Sequence, residues 1–265
     1  IIATHELVYG APQALKDFLN YRENSDVCFI AHPLLDKSNG SYAENYANGS
    51  IKGRQTKKLL SWLPAAHTVE FLLTLYWALW WVYCLTSKSN DKVVFIGANP
   101  LNAAAGLILR SFGVVDISIY YTIDFTPQRF ESRAINRLYH WLDLRCAQSS
   151  DETWNVSPRI NEGRKQFHNL RFLKGKQYVT PIGVWDILDT SQNIRNENEI
   201  IFVGTVLQKQ GLHKVIESLP SILIENKNVT LTVIGDGEYM PFIKSLINSL
   251  NLQVILNLIL VSPTQ

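Results

Sequence analysis

The residues with most capacity for chemistry lie in one loop, Gly204-Thr205-Val206-Leu207-Gln208-Lys209-Gln210-Gly211, between a β-branched run and a helical pattern. Glycine stands at both ends, with one hydroxyl and one lysine between. Backbone N–H groups at a helix start hold anions, and Lys209 adds a point charge suited to phosphate. A plain strand-to-helix turn is the competing reading. Asp124 follows the apolar run Ile117–Ile123. A carboxylate there could orient or deprotonate a hydroxyl; a helix N-cap or a salt bridge to Arg129 or Arg133 is the alternative. His5 and His32 also fall at strand ends. Gly235-Asp236-Gly237 lacks the third glycine of a dinucleotide fingerprint and reads as a tight turn. The sequence has no His pair at helical spacing, no Cys-x-x-Cys and no Gly-x-Ser-x-Gly, so neither a metal centre nor a serine elbow is expected.

The elements that must carry these residues alternate between short β-branched runs and helical patterns, which argues for a parallel α/β architecture. Strands are expected at Ile1–Thr4, Val27–Ala31, Val93–Gly97, Ile117–Thr122 and Tyr178–Thr180, with two short ones after a long helix from Glu131 to Cys146. Tyr42–Thr56 reads as a hairpin around Asn48-Gly49. A second unit starts at Ile200, with strands at 200–204, 229–234 and 254–261 and helices at 212–223 and 238–250. The expected division is therefore 1–183, a polar linker at 184–198, and a partial domain at 199–265. Ligands of such sheets bind at the carboxyl ends of strands. His5–Gly10, Gly97–Pro100, Asp124–Arg129 and Gly204–Gly211 are the loops that qualify.

The chain has 265 residues, 46% of them hydrophobic and 18% charged, which excludes disordered and nucleic-acid-tail classes. Three scattered cysteines favour a reducing compartment over a disulfide scaffold. Residues 1–183 carry 20 basic against 15 acidic side chains and the remainder 5 against 8, so the two parts present different surfaces. Phe71–Leu85 is an uncharged stretch with Trp77, Trp80 and Trp81, too short to span a bilayer and apolar on every helical face. A core helix is expected. The basic run Lys52–Lys58 upstream offers the second reading, contact with an anionic membrane surface. The chain opens on isoleucine, and the expected second sheet is short, so a fragment of a longer protein is expected.

Taken in order, several segments resemble GT-B glycosyltransferases, specifically glycosyltransferase family 4, a retaining, nucleotide-sugar-dependent family. They are Ala3–Pro12, Ser149–Ser157, Val179-Thr180-Pro181-Ile182-Gly183-Val184, Phe202–Gly211 and Val233–Glu238. The resemblance implies two Rossmann-like doubly wound domains, the second incomplete. It implies transfer of a sugar, of hexosyltransferase class, from a nucleotide-diphosphate donor to an acceptor hydroxyl with retention. Gly10, Gly204, Thr205 and Lys209 would lie near the diphosphate, and Asp124 and His5 on the acceptor side. The leaving diphosphate would be stabilised electrostatically. No cofactor and no metal are implied; the partners are the donor and a glycan or lipid-linked acceptor, with peripheral membrane contact and no nucleic acid. A cytoplasmic location at the inner membrane surface would suit these partners. Departures are Thr205 and Gln210, where the family commonly has Arg and Lys, and Trp185, where it has Asp. The family's later glutamate pair would fall beyond Gln265. A non-catalytic nucleotide- or partner-binding relative is the alternative. An oxidoreductase is a third reading, against which the missing dinucleotide fingerprint counts.

Overall fold

A computed structural model describes residues 1–6, 9–22, 26–33, 40–57, 66–85, 92–183, 196–253 and 256–259. The chain divides into two units, Ile1–Ile187 and Leu188–Gln265. Most of the expected linker, Val184 and Trp185 lie outside the described residues.

In the first unit the strands are β1 (Ile2–Glu6), β2 (Val27–Pro33), β3 (Ser41–Ala47), β4 (Ser50–Lys57), β5 (Val94–Gly97), β6 (Ile117–Thr122), β7 (Glu152–Asn155) and β8 (Lys176–Val179). They form one sheet in the order β4-β3-β2-β1-β5-β6-β7-β8. All pairings are parallel except β2–β3 and β3–β4. The β3–β4 hairpin turns at Asn48 and Gly49, with φ of 48° and 72°, the left-handed pair that a two-residue turn requires. Only one strand, β7, lies between the long helix and the next helix, where two were expected.

Among the described residues this unit also has five helices: α1 (Ala11–Arg22), α2 (Ala66–Leu85), α3 (Pro100–Ser111), α4 (Arg133–Ser149) and α5 (Pro158–Phe167). Strand alternation splits the core in two. Ile1, Ala3, Cys28, Ile30 and Phe95 meet Trp77 and Trp81 of α2 and Ala105 and Leu109 of α3. Ile2, Phe29, Ile96, Ile119 and Tyr121 line the opposite face, with Ala11, Leu15 and Leu19 of α1. Thus α2 buries one side, as expected of a core helix, but its other side exposes Leu72, Tyr76 and Tyr83. An all-apolar helix has no polarity pattern from which its outward face could be read. No helix among the described residues is long and apolar enough to cross a membrane.

The second unit is a parallel sheet in the order β11-β10-β9, made of β9 (Glu199–Val203), β10 (Thr230–Ile234) and β11 (Leu256–Ile259). Helices α6 (Leu212–Glu225) and α7 (Met240–Ser249) supply Leu212, Ile216, Leu219, Ile243 and Ile247 to its core, against Leu231 and Val233. Outside that core, Ile201, Val203 and Ile259 are exposed.

Candidate functional site

In the first unit the strand order reverses between β1 and β5, because β1 is followed by β2 on one side and by β5 on the other. At such a reversal the loops diverge and leave a crevice at the carboxyl ends. His5 sits there on β1, and Asn99 follows β5. The Asn99 side-chain oxygen accepts from the Asn102 N–H at the start of α3, a distance of 3.0 Å. That N-cap leaves the Asn99 amide nitrogen to donate to His5 Nδ1, 2.6 Å away. Nδ1 is thereby an acceptor, so the ring proton is on Nε2, which lies 2.9 Å from the Glu70 carboxylate on α2. Both His5 nitrogens are engaged by protein, and Glu70 is buried. Sequence reasoning missed Glu70 and Asn99: one lies within an otherwise uncharged helix, the other reads only as a residue before proline.

His32, at the end of β2, is fully buried. Its Nδ1 lies 2.9 Å from Ser41 Oγ and its Nε2 2.8 Å from Thr74 Oγ1. The single Thr74 hydroxyl proton lies between the Glu70 backbone carbonyl, 3.0 Å away, and the Asn102 side-chain oxygen, 3.2 Å away, which leaves Thr74 to accept from His32. The ring also stacks on Trp77. Gly10 precedes α1, and its N–H donates to Gln13 Oε1 at 3.1 Å, half of a capping box. Asp124 follows β6 and is exposed; it pairs with Arg129. β5 and Asn99 stand between Asp124 and His5 in the strand order, so these two are not brought together.

Behind β6 and β7 lies a buried charge network. The Arg164 guanidinium of α5 makes two bonds to the Asp143 carboxylate of α4, at 2.7 and 3.0 Å, and donates to Asn155 and Thr122 at 3.1 Å each. Tyr120 donates to the same carboxylate at 2.6 Å. Desolvation disfavours the guanidinium charge, but the bonds to Asp143 outweigh it and hold the Arg164 pKa above its usual range. Burial, with Asp143 beside it, keeps the Tyr120 phenol protonated far above its usual range. The segment around the resembling Asp151 and Ser157 is structural in its contacts: Asp151 pairs with Arg110 and accepts the Ser118 N–H, and Ser157 caps α5. Among the described residues one trio could hold a metal ion, His140, Asp143 and His168, with ligand atoms within 4.8 Å of one another. Both Asp143 oxygens already serve Arg164 and Tyr120, so a cation there would share its carboxylate with a guanidinium.

In the second unit, Gly204, Thr205 and Lys209 lie together in the loop after β9, with Gln208–Gln210 forming a single 3₁₀ turn and Gly211 (φ 79°) leading into α6. Thr205 and Lys209 are exposed, and no side chain caps α6; of its first-turn N–H groups, that of Lys214 donates to the Gly211 carbonyl at 2.9 Å. This loop is bound to the one after β10. Gly204 donates to Ile234 O at 3.0 Å and Val206 to Asp236 O at 2.9 Å. Gly204 and Gly235 have φ of 147° and 137°. A side chain at Gly235 would place Cβ 2.1 Å from Gly204 O, and one at Gly237 would place it 2.4 Å from Val206 O. The Gly-Asp-Gly segment is therefore more than a turn. Its glycines let the loops after β9 and β10 touch backbone to backbone, a tertiary requirement that local spacing does not show.

Residues 185–263 match the family described as Glycosyl transferases group 1. No match is found among curated protein sequences. Among solved structures, the chain is similar to HepE of Anabaena in complex with UDP, at 12% identity over 99% of this chain and 69% of that one, with a TM-score of 0.60. It is similar also to the catalytic domain of starch synthase IV of Arabidopsis thaliana bound to ADP and acarbose, at 9% identity over 99% and 74% of the two chains, TM-score 0.55. The pneumococcal O-GlcNAc transferase GtfA, in complex with UDP and GlcNAc, gives 12% identity and a TM-score of 0.51, and this chain spans 47% of it. At these identities the likeness establishes the fold, that of GT-B glycosyltransferases.

Proposed function

We propose that the protein transfers a hexose from a nucleotide-diphosphate sugar to an acceptor hydroxyl with retention, as in glycosyltransferase family 4. The observation that carries this reading is the family match over 185–263, which contains the Gly204–Gly211 loop at the open start of α6. Thr205, Lys209 and the α6 N–H groups would bind the diphosphate and stabilise the charge that develops as it leaves, without a metal. His5, fixed by Glu70 and Asn99, and Asp124 would belong to the acceptor side. The acceptor class is a glycan or lipid-linked glycan, used at the cytoplasmic face of a membrane.

Calorimetric titration with UDP and ADP tests the donor part. Binding weakened about tenfold by Lys209→Ala is expected, equivalent to loss of one charge-assisted contact. Absence of binding to either nucleotide, or stabilisation by nicotinamide cofactors alone, would overturn it. The second reading is a binding-only relative, favoured by the departures at Thr205 and Gln210. Release of nucleoside diphosphate from UDP-sugars separates the two, since a binding-only protein releases none above the uncatalysed rate.

A further inference from the structure

Helices α2, α3 and α4 cover one side of the eight-stranded sheet, and they contain only two acidic residues, Glu70 and Asp143, both buried. What they turn outward is apolar and basic. On α4 the inward face holds His140, Asp143, Cys146 and Ala147. The outward face holds Ile135, Leu138 and Trp141, which are 53%, 63% and 53% exposed. Their spacing of three places them in one row along the helix. A second row at four-residue spacing, Arg133, Arg137, Trp141 and Arg145, crosses the first at Trp141. The three arginines are exposed and have no ion-pair partner among the described residues; Arg145 lies 5.8 Å from the Trp141 ring centre. Leu72, Tyr76 and Tyr83 of α2, Ile108 of α3 and Phe112 at its C-terminal cap add exposed apolar area to the same helical layer.

A surface helix ordinarily turns polar residues to water, and contiguous apolar exposure without acidic side chains marks a contact surface. The chemistry favours lipid. Leu and Ile suit the acyl boundary, Trp the headgroup level, and Arg stems can lie along apolar surface while their charges meet anionic headgroups. We infer that the outward face of α4, extended by α2 and α3, docks on an anionic lipid bilayer. This deepens the membrane part of the reading above by naming the face, and it places the contact on α4 and not only on the basic run of β4.

Co-sedimentation of the full chain with vesicles of equal parts phosphatidylglycerol and phosphatidylcholine, against pure phosphatidylcholine, is the test. Binding to the anionic vesicles alone is expected, and it should fall as salt rises. Replacing Arg133, Arg137 and Arg145 with serine should weaken it about 100-fold, at roughly fivefold per arginine. Leu138→Glu with Trp141→Glu should abolish it, and unchanged circular dichroism and UDP binding would show that the variant is folded. No binding of the parent chain to anionic vesicles overturns the membrane reading and this face with it, while leaving the nucleotide reading to its own titration. Binding that survives both variants overturns this face alone. Light scattering that shows a dimer, lost in Leu138→Glu/Trp141→Glu, together with no vesicle binding, assigns the face to a second copy and overturns lipid docking.

Discussion

Replacing Gly235 with alanine should damage the second unit more than the same change at Gly204, although the two backbones are almost equally unusual. Both φ values, 137° and 147°, fall in territory that L-residues rarely adopt, which costs either variant about 1–3 kcal/mol. The surroundings differ. Nothing lies within 4 Å of a Cβ at Gly204, whereas one at Gly235 meets Gly204 O at 2.1 Å. Relief requires the β9 and β10 loops to part, breaking the 3.0 Å bond from Gly204 to Ile234 and the 2.9 Å bond from Val206 to Asp236. At about 1 kcal/mol each these add roughly 2 kcal/mol, or about 30-fold in local opening. Hydrogen exchange at the Gly204 and Val206 amides reads that difference directly. Equal protection in the two variants, or protection in Gly235→Ala equal to the parent chain, would refute the argument that backbone contact requires this glycine.

In the first unit, Arg164→Met strands the Asp143 carboxylate in the core and should cost about 3–5 kcal/mol by urea unfolding, much of it recovered in Arg164→Met/Asp143→Leu, where no lone charge remains. The pKa of His168 is held below its ordinary 6.5, with burial the largest cause. The unfolded state therefore takes up the proton first, and stability should fall as pH drops below about 6.5, levelling once the folded His168 is also protonated. His168→Gln should flatten that part of a stability profile measured by chemical unfolding between pH 7.5 and 5. Burial pushes the Cys28 and Cys146 thiols up to about 12. In a Cys84→Ser background, iodoacetamide at pH 8 should leave both unmodified until denaturant is added, because the thiolate is the reacting form.

The order of elements was legible because strands that alternate with helices leave periodic marks. The Asn48-Gly49 turn, Pro12 and Pro158 at helix starts, and the β-branched runs of β5, β6, β9 and β10 are local signals, and the structure places these elements within a residue or two of the pattern. What escaped is tertiary. Asp124 offered both a catalytic and an ion-pair reading, and only coordinates bring Arg129 to it. His5 was visible as a strand-end histidine, yet its partners come from positions 70 and 99, far apart in sequence. Arg164 and Asp143 drew no sequence reading, because burial of a matched pair leaves no mark on periodicity. Gly235 and Gly237 suggested a turn, while their necessity comes from the backbone of Gly204 and Val206 in an earlier loop.

The edges of the eight-stranded sheet give the basic run a second occupation. Among the described residues β4 is the outermost strand on one side; its Lys52 and Lys57 are exposed, and its Arg54 pairs with Glu44 of β3 at 3.2 Å. At the far edge, β8 begins with the exposed Lys176 and includes the exposed Tyr178 and Val179. Charges that must be desolvated discourage another strand from adding to the β4 margin. Removing the cations of β4 would lower the desolvation cost of pairing another strand at that margin.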